Sequence, residues 1–240
     1  MGYYGMYMDP TYILVIIGAL LCLAAQAKVK TTFNKYQNVR SHSGMTGAMA
    51  AERMLLNAGI RDVQIVPVAG NLTDHYDPRN KTVNLSQSVY NSTSVAAVGV
   101  ACHECGHAIQ HARHYAPLAI RSALVPVANF GSQAGIPLII LGAVLGGMSA
   151  KAQLGYMLIQ AGILFFCFAV LFQLVTLPVE FNASSRAMKM IVSTGILSEE
   201  ESHYTRKVLT AAALTYVASA AASILQLLRL IMIFGGRRRD

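Results

Sequence analysis

The chain has 240 residues, of which 54% are hydrophobic and only 12% charged, with a mean hydropathy of +0.45. That length allows a sizeable core, and that composition indicates an integral membrane protein rather than an ordinary soluble domain. A net charge of +8 does not point to nucleic acid, because the basic residues sit mostly in loops flanking apolar spans, where membrane topology accounts for them.

Apolar stretches long enough to cross a bilayer, about 17–25 residues, occur near Tyr12–Ala27, Val125–Met148, Leu154–Leu177 and Val208–Phe234. The first is short for a span. "LCLAAQAKVK" resembles a signal-peptidase site, but "MGYYGMYMDP" has no Lys or Arg for a basic leader, so residues 1–27 are expected to form an uncleaved anchor. Lys28, Lys30, Lys35 and Arg40 follow at once, which puts the next segment in the cytoplasm by the positive-inside rule. On that placement the N-x-[ST] sequons at Asn71, Asn80, Asn84, Asn91 and Asn182 are chance matches. Cys22, Cys102, Cys105 and Cys167 show no disulfide framework, as fits a reducing compartment.

The only extended polar region lies between the anchor and the metal-binding helix. "MTGAMAAERMLLNAGI" has helical spacing and ends at Gly59, a C-terminal cap, and "VQIVPV" reads as a strand. "LTDHYDPRNKTVNLS" predicts a hairpin turning at Asp77-Pro78-Arg79-Asn80. Its returning strand, with Thr82, Val83, Asn84 and Leu85, is expected to leave an edge free to hold an extended peptide; a merely structural hairpin is the plainer alternative.

A long helix from about Ser94 to Tyr115 carries "ACHECGHAIQH". At 100° per residue, His107 lies about 40° around the helix from His103, whereas Cys102 and Cys105 lie about 100° and 160° away. The histidines share a face and the cysteines leave it. Glu104 flanks the pair, within reach of a metal-held water, which is the H-E-x-x-H arrangement with His103 and His107 as ligands and Glu104 as general base. "CHEC" also reads as C-x-x-C, but no second such pair completes a four-cysteine site. A chance match is opposed by the small-residue run "SVAAVGVA", which marks a buried helix where two His and a Glu are costly without a partner.

A catalytic zinc site takes three protein ligands and one open position. His111 stands about 12 Å up a straight helix from His103, too far to share one ion, and Gln110 and Arg113 stand where a metzincin needs Gly and His. After the metal helix the acids are Glu180, the run Glu199-Glu200-Glu201 and Asp240. The run has a capping role, since Ser198 and Glu201 have capping-box spacing. Glu180, in "TLPVEFNASSRA", sits awkwardly where an apolar span ends, and a membrane hairpin over 117–177 returns the chain to the starting face. Glu180 is the expected third ligand, with His111, His114 and Asp77 as the fallbacks.

"HECGHAIQHA", "LPVEFNASSRAM" and "DHYDPRNKTVNLS" together resemble the YugP-type membrane zinc metallopeptidases over nearly the whole chain. The resemblance implies a neutral zinc endopeptidase, distantly like HtpX and the CAAX prenyl endopeptidases, with one Zn2+ held by His103, His107 and Glu180 and with Glu104 as base. Where those relatives carry an Asp that orients a zinc histidine, this chain has Ser184, and a hydroxyl is a weaker partner than a carboxylate; Asn182 is a second candidate for that role. Arg186, His203, Tyr204 and His75 are candidates for stabilising the oxyanion, each with a plainer structural role beside it.

The expected fold is therefore a mainly α integral membrane protein, with a zincin-like metal helix and a small β-hairpin or sheet attached to about three or four membrane helices. Its segments are an anchor (1–27), a cytoplasmic zincin-like half (28–116), a helical hairpin (117–177), a third-ligand segment (178–207) and a C-terminal helix with a basic tail (208–240). The expected function is hydrolysis of peptide bonds near the cell membrane, on its cytoplasmic side. Protein or peptide substrates and the bilayer are the expected partners. Two other readings are a site-2-type intramembrane protease, disfavoured because the later spans contain no Asp, and a non-catalytic scaffold with structural zinc, which would tolerate Glu104→Gln. The basic "GGRRRD" conflicts with four full crossings starting outside, so "AAALTYVASAAAS" is expected to pack as a core helix, with only "ILQLLRLIMIF" touching lipid.

Overall fold

The computed structural model describes residues 9–235. Most of "GGRRRD", residues 236–240, lies outside them, as does most of "MGYYGMYMDP", residues 1–8. The elements are α1 (Tyr12–Tyr36), α2 (Gly47–Asn57), β1 (Gln64–Val68), β2 (His75–Asp77), β3 (Thr82–Ser86), α3 (Gln87–Tyr90), α4 (Val95–Ala112), α5 (Ala116–Gly146), α6 (Ala152–Ser193) and α7 (Glu199–Phe234). They form two compact units. One comprises residues 9–24, Ser122–Leu174 and residues 216–235; the other comprises Ala25–Arg121 and Val175–Thr215.

The second unit is built around α2 and α4. Thr46 caps α2 by accepting from Met49 N at 3.2 Å, and the helix buries Ala50, Ala51, Met54 and Leu55 on one face. Gly59, at φ +78°, then turns the chain into a left-handed conformation that costs glycine little. Ser94 caps α4 in the same manner, accepting from Ala97 N at 3.2 Å. From Val95 to Cys105 every α4 residue but Val100 and His103 is buried, because small side chains let neighbours approach closely. A Cβ on Gly99 would come within 2.5 Å of Thr205 Cγ2, and the Thr205 hydroxyl donates to Val95 O at 2.9 Å. Burying Met54, Leu85, Ile191 and Ile196 completely contributes about 1.5–3 kcal/mol each. Cys102 and Cys105 belong to this core. Burial pushes the Cys102 thiol up to about 12, and Cys105 Sγ lies 3.6 Å from Ala51 O. Both are inert hydrophobes rather than a redox pair.

The sheet corrects one expectation. β3 pairs parallel with β1 and antiparallel with β2, so the strand order is β1-β3-β2. Thr82, Val83, Asn84 and Leu85 therefore lie on the central strand, with the last three buried, and cannot offer a free edge. The hairpin turn is as expected, with Asp77 accepting from Arg79 N at 2.9 Å and Asn80 Nδ2 at 2.7 Å. β1 and β2 are the outer strands, and Pro67 sits on β1, where a missing N–H is tolerated.

In the first unit, α5 continues without a break through Pro126 and Pro137. Membrane helices tolerate internal proline more readily than soluble ones, and α5 is packed closely against α6. Gly131 packs on the Phe165 backbone, Gly135 on Gly162 and Gly142 on Gly155; the Phe130 and Phe165 rings meet edge to face at 4.9 Å. Small residues of this kind let apolar helices touch. Gly18 similarly faces Ala222, and Arg229 pairs with Asp9 at 3.4 Å.

Among the described residues four helices, α1, α5, α6 and α7, are long and apolar enough to cross a membrane. α7 corrects a second expectation. It is one unbroken helix in which Leu214 and Val217 are exposed along with Ile224, Leu228 and Ile231, so its outward apolar surface begins within "AAALTYVASAAAS". Its contacts with α4 come earlier, at Thr205. The start of α7 carries the expected capping box, with Ser198 N donating to Glu201 Oε2 at 2.8 Å and Glu201 N to Ser198 Oγ at 3.2 Å.

Candidate metal centre

The helical spacing of α4 puts His103 and His107 on one face, with ring centroids 4.8 Å apart. Glu180 reaches them from α6. Its Oε2 lies 3.2 Å from His103 Nε2 and 3.5 Å from His107 Nε2. Two donors on a tetrahedral zinc with bonds of about 2.0–2.1 Å sit roughly 3.3 Å apart, so these separations and the donor set of two imidazoles and one carboxylate suit that ion. Among the described residues this is the one group of three or more His, Cys, Asp or Glu side chains able to share a metal.

The approach of α6 to α4 depends on Gly106. A Cβ there would come within 2.5 Å of Ala183 O, so only glycine lets the two backbones meet at this point.

Each imidazole is oriented through its other nitrogen. His103 Nδ1 lies 3.0 Å from Ser184 Oγ. His107 Nδ1 lies 3.0 Å from Gln110 Oε1, and the tautomer follows from Gln110, whose Nε2 donates to Val179 O at 2.8 Å and Asn182 Oδ1 at 3.0 Å. With its amide nitrogen so engaged, Gln110 presents an acceptor, so His107 Nδ1 carries the proton and Nε2 keeps its lone pair. Asn182 also accepts from Arg186 Nε at 2.7 Å, while the Arg186 guanidinium lies 5.8 Å from the Tyr115 ring. The other Glu180 oxygen accepts from Arg121 Nη1 at 3.2 Å.

Glu104 is 8% exposed. Burial pushes its carboxyl up to about 7, opposed by His103 and reinforced by the charges of Glu180 and Asp74, which is the range a proton carrier needs near neutral pH.

Other candidates are placed elsewhere. His111 Nδ1 pairs with Tyr76 OH at 2.8 Å, His114 follows the end of α4 at φ +51°, and Asp77 is occupied by its turn. His203 is exposed on α7, and exposed His75 pairs with Thr73 O at 2.9 Å. Neither His75 nor His203 has a hydrogen bond to the cluster among the described contacts. Sequence reasoning missed Gln110 and Arg121. Gln110 stands three residues after His107, on the same face, and that spacing was the available signal. Arg121 resembled an ordinary charge flanking a span.

A chain of apolar helices long enough to cross a bilayer, carrying a His-His-Glu donor set in which His107 and Glu180 are buried and His103 half-buried, has the construction of a membrane zinc hydrolase. It belongs to the family described as "Putative neutral zinc metallopeptidase", whose family model matches residues 11–235. Over 224 residues it is 50% identical to the "Putative membrane protease YugP" of Bacillus subtilis (strain 168), covering 93% of this chain and 96% of that one. No solved structure matches it. The chain is thus a membrane-associated zinc protease.

Proposed function

We propose that the protein is an endopeptidase that cuts polypeptides near the membrane surface, with His103, His107 and Glu180 holding one catalytic zinc and Glu104 acting as general base. The observation that carries this reading is the convergence of the two Nε2 atoms and Glu180 Oε2 beside the buried Glu104. Bound zinc supplies a Lewis acid that polarises the scissile carbonyl and acidifies water. Glu104 takes the proton of the attacking water and returns it to the leaving amine. Ser184 and Gln110 hold the two imidazoles in the tautomer that frees Nε2, and Arg121 fixes the orientation of Glu180. Asn182 ties Gln110 to Arg186. An extended substrate is held along the outer edge of β2, the strand linked to α4 through Tyr76 and His111.

The active centre faces the cytoplasm in this reading. Support comes from Lys28, Lys30, Lys35 and Arg40 following the first apolar run of α1.

Glu104→Gln tests the chemistry. Hydrolysis of an unfolded protein such as casein should fall about 10²–10⁴-fold, the usual contribution of a general base, while zinc content by elemental analysis stays at the wild-type level. Wild-type hydrolysis by this variant would exclude Glu104 as the general base and overturn the mechanism as assigned.

A further inference from the structure

The unit carrying the metal centre also holds a basic cavity away from it. Where the apolar run of α1 ends and that of α7 begins, the two helices line a space of about 470 Å³. The run Tyr12–Ala27 is free of charge and is followed by Lys28; on α7, Arg206 and Lys207 directly precede the apolar stretch from Val208. Both helices thus change from charged to apolar beside the same cavity, as they would at the surface of a bilayer.

Lys28, Lys35, Arg206 and Lys207 contribute four positive charges to the lining, Thr32 and Thr210 contribute hydroxyls, and among the described residues no carboxylate lines it. Among the described residues none of the four cations forms an ion pair. The Tyr36 and Tyr204 rings stack with centroids 5.3 Å apart. Lys35 lies 5.6 Å from the first ring and Lys207 6.0 Å from the second. Ring faces attract and position ammonium groups without neutralising them. Like charges gathered around one concavity repel each other until an anion joins them. The positive-inside rule explains basic residues beside each span, but not why residues from two distant parts of the chain share one acid-free cavity.

We propose that this cavity binds the phosphate-bearing headgroup of an anionic glycerophospholipid. The lysines, Arg206 and the threonine hydroxyls donate to the phosphate oxygens, and the glycerol end meets the apolar wall at Leu214. A lipid suits both features, since the lining combines four cations with the apolar Ala211 and Leu214. Basic pockets between membrane helices are suited to such headgroups. The inference does not depend on the zinc assignment.

The test uses the full-length protein in a nonionic detergent, with binding of a fluorescent short-chain phosphatidylglycerol measured at equilibrium. Phosphatidylcholine of the same chain length and inorganic phosphate serve as competitors. Each cation at an anionic surface is worth about fivefold in affinity, so Lys28→Gln with Arg206→Gln should weaken phosphatidylglycerol binding roughly twenty-five-fold. Lys30→Gln with Arg40→Gln removes the same charge from the same region outside the cavity, and should change binding less than about twofold. Lys28→Arg with Arg206→Lys keeps the charge and should retain binding, which separates lost charge from lost folding. Equal losses in both Gln pairs would overturn the proposal in favour of diffuse attraction. Equal binding of phosphatidylcholine would overturn the headgroup assignment, and displacement by phosphate at the same concentration as the lipid would show a free-anion site instead.

Discussion

One helix is held in two different ways along its length. Over residues 152–174, α6 is packed by glycines: Gly155 and Gly162 lie against the backbone of α5, and cohesion comes from shape and dispersion. Over residues 175–193 the same helix presents Glu180, Asn182, Ser184 and Arg186, each with a named polar partner. The first mode fixes how close two helices come. The second also fixes how individual side chains are turned, because a hydrogen bond has a direction and a dispersion contact does not.

That contrast can be broken from either side. The largest effect is expected for Glu180→Ala, which should reduce near-stoichiometric zinc to trace levels in elemental analysis; full retention would move the third ligand elsewhere. Gln110→Ala leaves all three donors in place but removes the acceptor for His107 Nδ1. Zinc affinity in a competition titration with a chelator should fall about 10–100-fold, the usual cost of losing such an outer partner, while one zinc is still bound at saturating metal. Gly162→Leu acts on the apolar part of α6, where a Cβ would come within 2.6 Å of Gly135 O. It should cost about 1–3 kcal/mol of stability in detergent, while folded protein keeps its zinc affinity.

The smallest effect concerns pH. Burial raises the Asp74 carboxyl above its ordinary value, against the hydrogen bonds from Ser86. Between the unfolded and the raised folded value the native state holds a proton that the unfolded chain has lost, so the stabilisation from this group declines as pH rises through that window. Asp74→Asn should flatten that part of the stability curve in chemical denaturation, which begins at the ordinary carboxylate value, about pH 4, and extends upward from it. An unchanged slope would remove Asp74 as its source.

Much of this was legible in the sequence where local rules suffice. The H-E-x-x-H face needs only helical periodicity, Ser94 and Ser198 are recognisable caps, and the turn at Asp77-Pro78 follows from its residues. Glu180 could be singled out because acids are scarce after α4. Pairing over distance was less legible. Nothing in "KTVNLS" says that β1, eighteen residues earlier, will lie parallel to it, so local pattern alone makes a central strand look like an edge. Gln110 was noticed only as not being glycine, since its value lies in the Val179 carbonyl and the Asn182 amide of another helix. The glycine contacts between α5 and α6 are likewise invisible to local rules, because each needs a partner more than eight residues away.

The contact at Gly106 gives the centre a property of its own. The spacing between α4 and α6 is set there by main chain against main chain, with no rotatable side chain in between. Side-chain motion elsewhere has no direct route to alter that gap, so the donor triangle inherits the stiffness of two helix backbones. For inheritance the consequence is severe: the first carbon of any side chain at position 106 already collides, leaving no gradual path of substitution by which the two helices could be respaced while His103, His107 and Glu180 remain in register.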